Sequence, residues 1–117
     1  MKFSILSFIL LLSLNSFATN YYVDASTTAT TQNGSQTNPW KTLSQVQSNM
    51  SSFRAGDIIS FKKGGTYSGQ FNVSCSGTAG NPIVFNSYGS GNAPVFSGTG
   101  SRITYLVYVN NRSYVTF

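Results

Sequence analysis

The sequence predicts an all-β chain that winds as a coil and is entered through one short amphipathic helix. From Asp57 onward, short runs of β-branched and aromatic residues alternate with turns rich in Gly and Asn. Taken alternately, the centres of these runs recur at a nearly constant interval. Ile59 to Val84 is 25 residues and Val84 to Val107 is 23, while Phe71 to Val95 is 24 and Val95 to Phe117 is 22. Two interleaved series of similar period suit a coil of roughly 20 to 30 residues whose every turn contributes strands to more than one sheet. A β-sandwich with strands about every 8 to 12 residues would give comparable spacing. The lack of a tight Asn-Gly hairpin between strands leans toward the coil.

The first element is not part of the fold. Met1 and Lys2 precede an uncharged apolar run from Phe3 to Leu14, and the small residues Ser16 and Ala18 stand three and one before a cut after Ala18. Residues 1–18 therefore read as a secretory signal peptide, since the run is about a dozen residues and a membrane span needs about 20. Cleavage leaves 99 residues (117 − 18) and, without Lys2, a formal charge of +4 (+5 − 1). That is one small domain, secreted or periplasmic.

Next, Tyr21, Tyr22 and Val23 form a first strand ending at Asp24. From Ala25 to Asn38 the chain is Ser, Thr, Gln, Asn and Gly with Ala29 and Ala25 as its only apolar residues, either a disordered linker or a long surface loop. Asn38 or Thr37 can then cap a helix with Pro39 in its first turn, and Leu43, Val46, Met50 and Phe53 recur at helical spacing, with Gly56 as a stop. The stripe is expected to cover this domain's own core, with Trp40 as a plug. Beyond Asp57 the strands centre on Ile58–Phe61, Phe71–Val73, Ile83–Phe85, Val95–Phe96, Ile103–Val109 and Tyr114–Phe117. Cys75 is the sole cysteine, so no internal disulfide forms and a small buried thiol is expected.

Composition excludes most chemistry. The chain has no His, two acidic residues, Asp24 and Asp57, and 8% charged residues. Serine and cysteine triads lack their base, a zinc or calcium cage lacks ligands, and a glycosidase pair would have to be Asp24 with Asp57. Of the seven basic residues only Lys62 and Lys63 adjoin, which gives no support for nucleic-acid binding. Four Asn-x-Ser matches, at Asn33, Asn49, Asn72 and Asn111, arise readily by chance in so Asn- and Ser-rich a chain.

Four ordered blocks carry a family resemblance. Tyr22-Val23-Asp24-Ala25-Ser26, the loop ending Asn38-Pro39-Trp40-Lys41-Thr42-Leu43, the segment from Arg54 to Gly65 and the segment from Ser76 to Phe85 resemble the N-terminal part of exported right-handed parallel β-helix proteins of the pectate-lyase-like superfamily. The resemblance implies an all-β solenoid in which residues 19–56 hold the first strand, polar loop and capping helix, and residues 57–117 the first coils. Asp57 then becomes a turn or strand-entry residue rather than a catalytic acid.

It implies, too, a secreted carbohydrate-active protein, foremost a lyase of acidic uronate polymers, with a Lys or Arg base and often calcium in the full-length protein. None of Lys41, Arg54, Lys62, Lys63, Arg102 or Arg112 matches a catalytic motif. No catalytic, cofactor-binding or metal residue is therefore carried over, and the active site is expected beyond residue 117. The run Tyr114–Phe117 has no cap after it, so the chain is expected to be an N-terminal fragment that exposes a β-edge and aggregates when expressed alone. A non-catalytic β-helix adhesin or carbohydrate-binding surface protein is the alternative. In that case Tyr67, Tyr88 and Tyr105 would stack on sugars, against core or ladder positions for the same residues.

Overall fold

The structure, a computed structural model, describes residues 17–98 and 105–117. The apolar run of the expected signal peptide, and Ile103 of the expected late strand, lie outside the described residues. Within them the chain is mostly strand, and every strand pairing is parallel.

β1 (Asn20–Val23) pairs along its length with β2 (Ile58–Lys62), Asn20 opposite Ile58 and Val23 opposite Phe61. Its other edge is covered by the polar loop, which folds back on it. Tyr22 N–H donates to the Gly34 carbonyl at 2.8 Å, Trp40 N–H to the Tyr22 carbonyl at 3.0 Å and Asp24 N–H to the Trp40 carbonyl at 2.8 Å. Residues 25–39 are thus a folded surface loop and not a linker. They protect a strand edge that would otherwise present unpaired backbone. Gly34, at φ +83°, lets the Trp40 ring lie against the backbone, where a Cβ would stand 2.7 Å from the indole. Trp40 is buried as expected and stacks on Tyr21, centroids 5.3 Å apart.

The helix corrects the expected boundaries. α1 runs Leu43–Ser48, and its N-cap is Thr42 rather than Asn38 or Thr37. Thr42 Oγ1 accepts from Gln45 N–H while the Gln45 side chain returns to the cap backbone, a reciprocal capping box. Pro39 is not in the first turn, because Trp40 is held in a bridge beside Val23. Nor does the helix reach Gly56. It ends at Asn49 and continues as a 3₁₀ turn, Met50–Ser52. Here Ser48, Asn49 and Ser52 bond back to the carbonyls of Ser44, Gln45 and Asn49, which competes with the helical ladder. The apolar stripe survives the change of helix type, with Leu43, Val46, Met50 and Phe53 all buried. α1 packs on β4 (Phe71–Val73), and Gln47 Oε1 accepts the Asn72 N–H at 3.2 Å.

The remaining strands are β3 (Thr66–Ser68), β5 (Ile83–Tyr88), β6 (Val95–Ser97), β7 (Val107–Val109) and β8 (Val115–Thr116). They form three sheets: β1-β2-β5-β8, β3-β6 and β4-β7. The expected pairing of the Ile59 and Val84 runs is present, with Ile59 opposite Phe85. The other three spacings paired the wrong strands. Val84 meets Thr116 and not Val107, Phe71 meets Val107 and not Val95, and Val95 meets Thr66 and not Phe117. The cause is β3, a three-residue strand with one aromatic, Tyr67, which sequence periodicity did not reveal. With it restored there are three series, and the offset between partners varies from 26 residues (Ile58 to Val84) to 38 (Asn20 to Ile58) because the connections differ in length.

Inward residues from the three sheets meet as an aromatic cluster. The Phe61 ring lies edge-on to Tyr67 and Phe96, both at 5.1 Å, and Phe71 edge-on to Phe85 at 5.3 Å. Such edge-to-face contacts contribute about 0.5–1.5 kcal/mol each beyond area burial. Burial declines toward the last strands, where Tyr108, Val109 and Phe117 are exposed, Phe117 to 60% while stacked on Phe85.

Candidate functional site

Ionisable side chains converge where β1 and β2 end. Asp24 follows the last residue of β1, and Lys62 closes β2 beside it. Asp24 Oδ2 lies 2.9 Å from Lys62 Nζ, and Oδ1 accepts the Ser26 N–H at 2.9 Å and its hydroxyl at 2.7 Å. Burial alone would raise the Asp24 carboxyl, but the Ser26 bonds and Lys62 outweigh it and hold the group below its ordinary value. The pair is asymmetric, the Asp24 side chain 13% exposed and that of Lys62 43%.

The turn Lys63-Gly64-Gly65 completes a cleft of about 270 Å³ lined by Asp24, Ser26, Lys62, Lys63 and Thr66. Its backbone is tied to the next passage of chain, Lys63 N–H to the Tyr88 carbonyl at 2.9 Å and Gly64 N–H to the Asn92 carbonyl at 2.7 Å. Beneath it, the Tyr67 hydroxyl lies 3.1 Å from the carbonyls of Val23 and Lys62, gripping both strand ends. To one side Tyr22 and Tyr88 meet edge-on at 5.2 Å, and burial, then Asp24, pushes the Tyr88 phenol up.

The cleft is lined by two lysines and one carboxylate. Lys62 is oriented by Asp24, Lys63 follows it in sequence, and nothing lies within 4 Å of where a Gly64 Cβ would stand. A carboxylate kept ionised by an ammonium partner is a weak base, and a phenol kept protonated is no base at neutral pH.

The other residues weighed from the sequence are dispersed. Asp57 sits just before β2 with both oxygens taken by backbone, Oδ1 by Thr19 N–H at 2.9 Å and Oδ2 by Arg54 N–H at 2.7 Å. Since β2 separates it from Asp24, the two carboxylates stand about five residues apart along the strand direction, roughly 16 Å. Glycosidase carboxylates lie about 5 to 9.5 Å apart, so the pair forms no such site. Neither aspartate fits calcium: one is spent on backbone donors and the other on a lysine and a serine. Among the described residues no three His, Cys, Asp or Glu side chains gather.

Arg54 turns its guanidinium to the Ser51 and Phe53 carbonyls, Lys41 and Arg112 are exposed, and Arg102 lies outside the described residues. Cys75 is buried, and burial pushes its thiol up, away from the reactive thiolate. Of the three tyrosines, Tyr67 is a core residue, Tyr88 is partly buried against Tyr22, and Tyr105 is 54% exposed beside Tyr108, centroids 5.3 Å apart. Sequence reasoning named Asp24, Lys62 and Lys63 singly. The signal that joins them is the parallel register of β1 and β2, which sequence alone does not give.

Among the described residues no helix is long and apolar enough to cross a membrane. Comparison of the sequence with protein-family models and with curated proteins finds no match.

Proposed function

We propose that this chain is the N-terminal part of an exported right-handed parallel β-helix protein of the pectate-lyase-like superfamily, acting on acidic polysaccharide. The observation that carries the reading is the order of pairing: β2, β3 and β4 pair in parallel with β5, β6 and β7 in turn, and β5 then with β8. Each offset of 26 to 36 residues is one coil, and parallel crossovers of this kind are right-handed in about 98% of cases. α1, with its buried stripe against β4, closes one end of the solenoid, which needs such a cap for solubility. The exposed apolar residues of β7, Tyr108 and Val109, and those flanking β8, Tyr114 and Phe117, form the rim on which further coils stack.

The activity proposed for the full-length protein is that of a lyase cleaving uronate polymers, its active site and any calcium beyond residue 117. A charge of +4 after export and the Lys62–Lys63 cleft favour an anionic ligand, though neither supplies the base that proton abstraction requires. The test is an absorbance assay for unsaturated uronate products with the full-length protein on pectate, alginate and glycosaminoglycans. Product on any one supports the lyase; silence on all three refutes it. A second reading, a non-catalytic adhesin or carbohydrate-binding surface protein, is favoured by the exposed Tyr105–Tyr108 pair. Binding of the same polymers without product, lost on replacing both tyrosines by alanine, would establish it.

A further inference from the structure

Asp57 is 2% exposed, and among the described residues no cation lies within ion-pairing distance of it. A buried carboxylate without a counter-ion is costly even when hydrogen-bonded. One of its two donors is the backbone nitrogen of Thr19, and the Thr19 carbonyl in turn accepts the Ile58 N–H at 3.0 Å. Thr19 is thereby fastened on both sides to the entrance of β2. Phe17, Ala18 and Thr19 are themselves exposed.

We infer that cleavage between Ala18 and Thr19 supplies Asp57 with its counter-ion, the new α-ammonium of Thr19 forming on the nitrogen that already lies 2.9 Å from Oδ1. The inference rests on the export reading and adds to it a structural purpose for the position of the cut. The step is a hydrolysis by the endopeptidase of the export route. The C–N bond breaks, water gives its hydroxyl to the Ala18 carbonyl carbon, and the released amine takes up a proton. An N–H to carboxylate hydrogen bond becomes an ion pair without movement of the chain, and the first strand is locked to the second. A cut one residue away would displace the ammonium by about 3.8 Å and lose the contact. The other charged or titratable groups nearby are Arg54, engaged with carbonyls, and Cys75, whose thiol senses both Asp57 and Arg112.

The test begins with the chain exported from a bacterial host under its own leader, examined by intact mass and N-terminal sequencing. Thr19 as first residue is expected. Retention of residues 1–18 would overturn the export reading and the inference together, whereas a cut elsewhere would overturn the inference alone. Chains beginning at Thr19 are then compared with the α-amine free and acetylated. The free form is expected to show a folding constant about tenfold larger at pH 6.5, matching an upward shift of about one unit in the amine's titration. Because the folded amine titrates higher than the unfolded one, this advantage is full below the ordinary α-amine value of about 7.7–8.0 and fades as pH rises through the folded value. Equal stability of the two forms at pH 6.5 would overturn the ion pair while leaving export standing. Asp57→Asn is expected to abolish the difference; should that variant fail to fold, the acetylation comparison decides alone.

Discussion

Replacing Tyr67 by Phe removes one oxygen from the centre of the fold and leaves the ring in place. That oxygen lies 3.1 Å from the Val23 carbonyl at the end of β1 and 3.1 Å from the Lys62 carbonyl at the end of β2. A hydroxyl has one proton, so it satisfies one carbonyl at a time. Its net contribution, and so the expected cost, is about 0.5–1.5 kcal/mol, since the Lys62 carbonyl also accepts the Gly65 N–H at 3.4 Å. The edge contacts of the ring with Phe61 and Phe96 are untouched. Tyr67→Leu, which forfeits those contacts as well, should cost about 3–4 kcal/mol. For a domain of this size the Phe variant should melt roughly 2–12 °C lower. Trp40 is the sole tryptophan and is buried, so its fluorescence reports urea unfolding directly. The measurement belongs at a protein concentration where the midpoint no longer changes on dilution. Burial raises the Tyr67 phenol, so the donor persists and the deficit should be constant from pH 5 to pH 9, a range chosen as roughly one unit clear of an ordinary tyrosine at its upper end. A Phe variant within about 0.3 kcal/mol of the parent, well under one net hydrogen bond, would refute the proposed clamp.

Substitutions at other sites probe the same packing. Gly34→Ala combines a left-handed backbone, φ +83°, with a Cβ 2.7 Å from the Trp40 ring, and should cost about 2–4 kcal/mol with a red-shifted Trp40 emission; Gly64→Ala, at φ +81° in open space, should cost only about 1 kcal/mol in the same urea titration. Gly77→Ala would put a Cβ 2.7 Å from the backbone oxygens of Asn81 and Tyr114, so hydrogen exchange should quicken at Ile83, whose N–H donates to Tyr114. Thr42→Ala breaks the capping box and should lower stability by about 0.5–2 kcal/mol, seen as a lower urea midpoint with unchanged slope. Asp24→Asn should cost under about 1 kcal/mol, because Lys62 is 43% exposed. Since the Asp24 carboxyl is depressed in the fold, its contribution is full above the ordinary value of about 3.9 and lost as pH falls through the folded value, so parent and variant should converge in acid titrations.

The sequence by itself determined which residues are inward and which are turns. Alternation marked Phe71 and Val73, a 3–4–3 spacing marked Leu43, Val46, Met50 and Phe53, and both groups are buried, because side-chain hydrophobicity and backbone period are local properties. It determined, too, that the chain has two aspartates and no histidine with which to build a site. Tertiary structure decided the rest. Strand partners 26 to 38 residues apart are selected by loop closure and by stacking of Phe61, Phe71, Phe85 and Phe96, and neither is encoded in a window of neighbouring residues. Tyr67, one aromatic between Gly65 and Gly69, gains its role only from carbonyls of two other strands. Asp24 and Asp57 differ for the same reason: one meets a lysine across a parallel register, while the other, just before the facing strand, meets backbone N–H groups from Thr19 and Arg54.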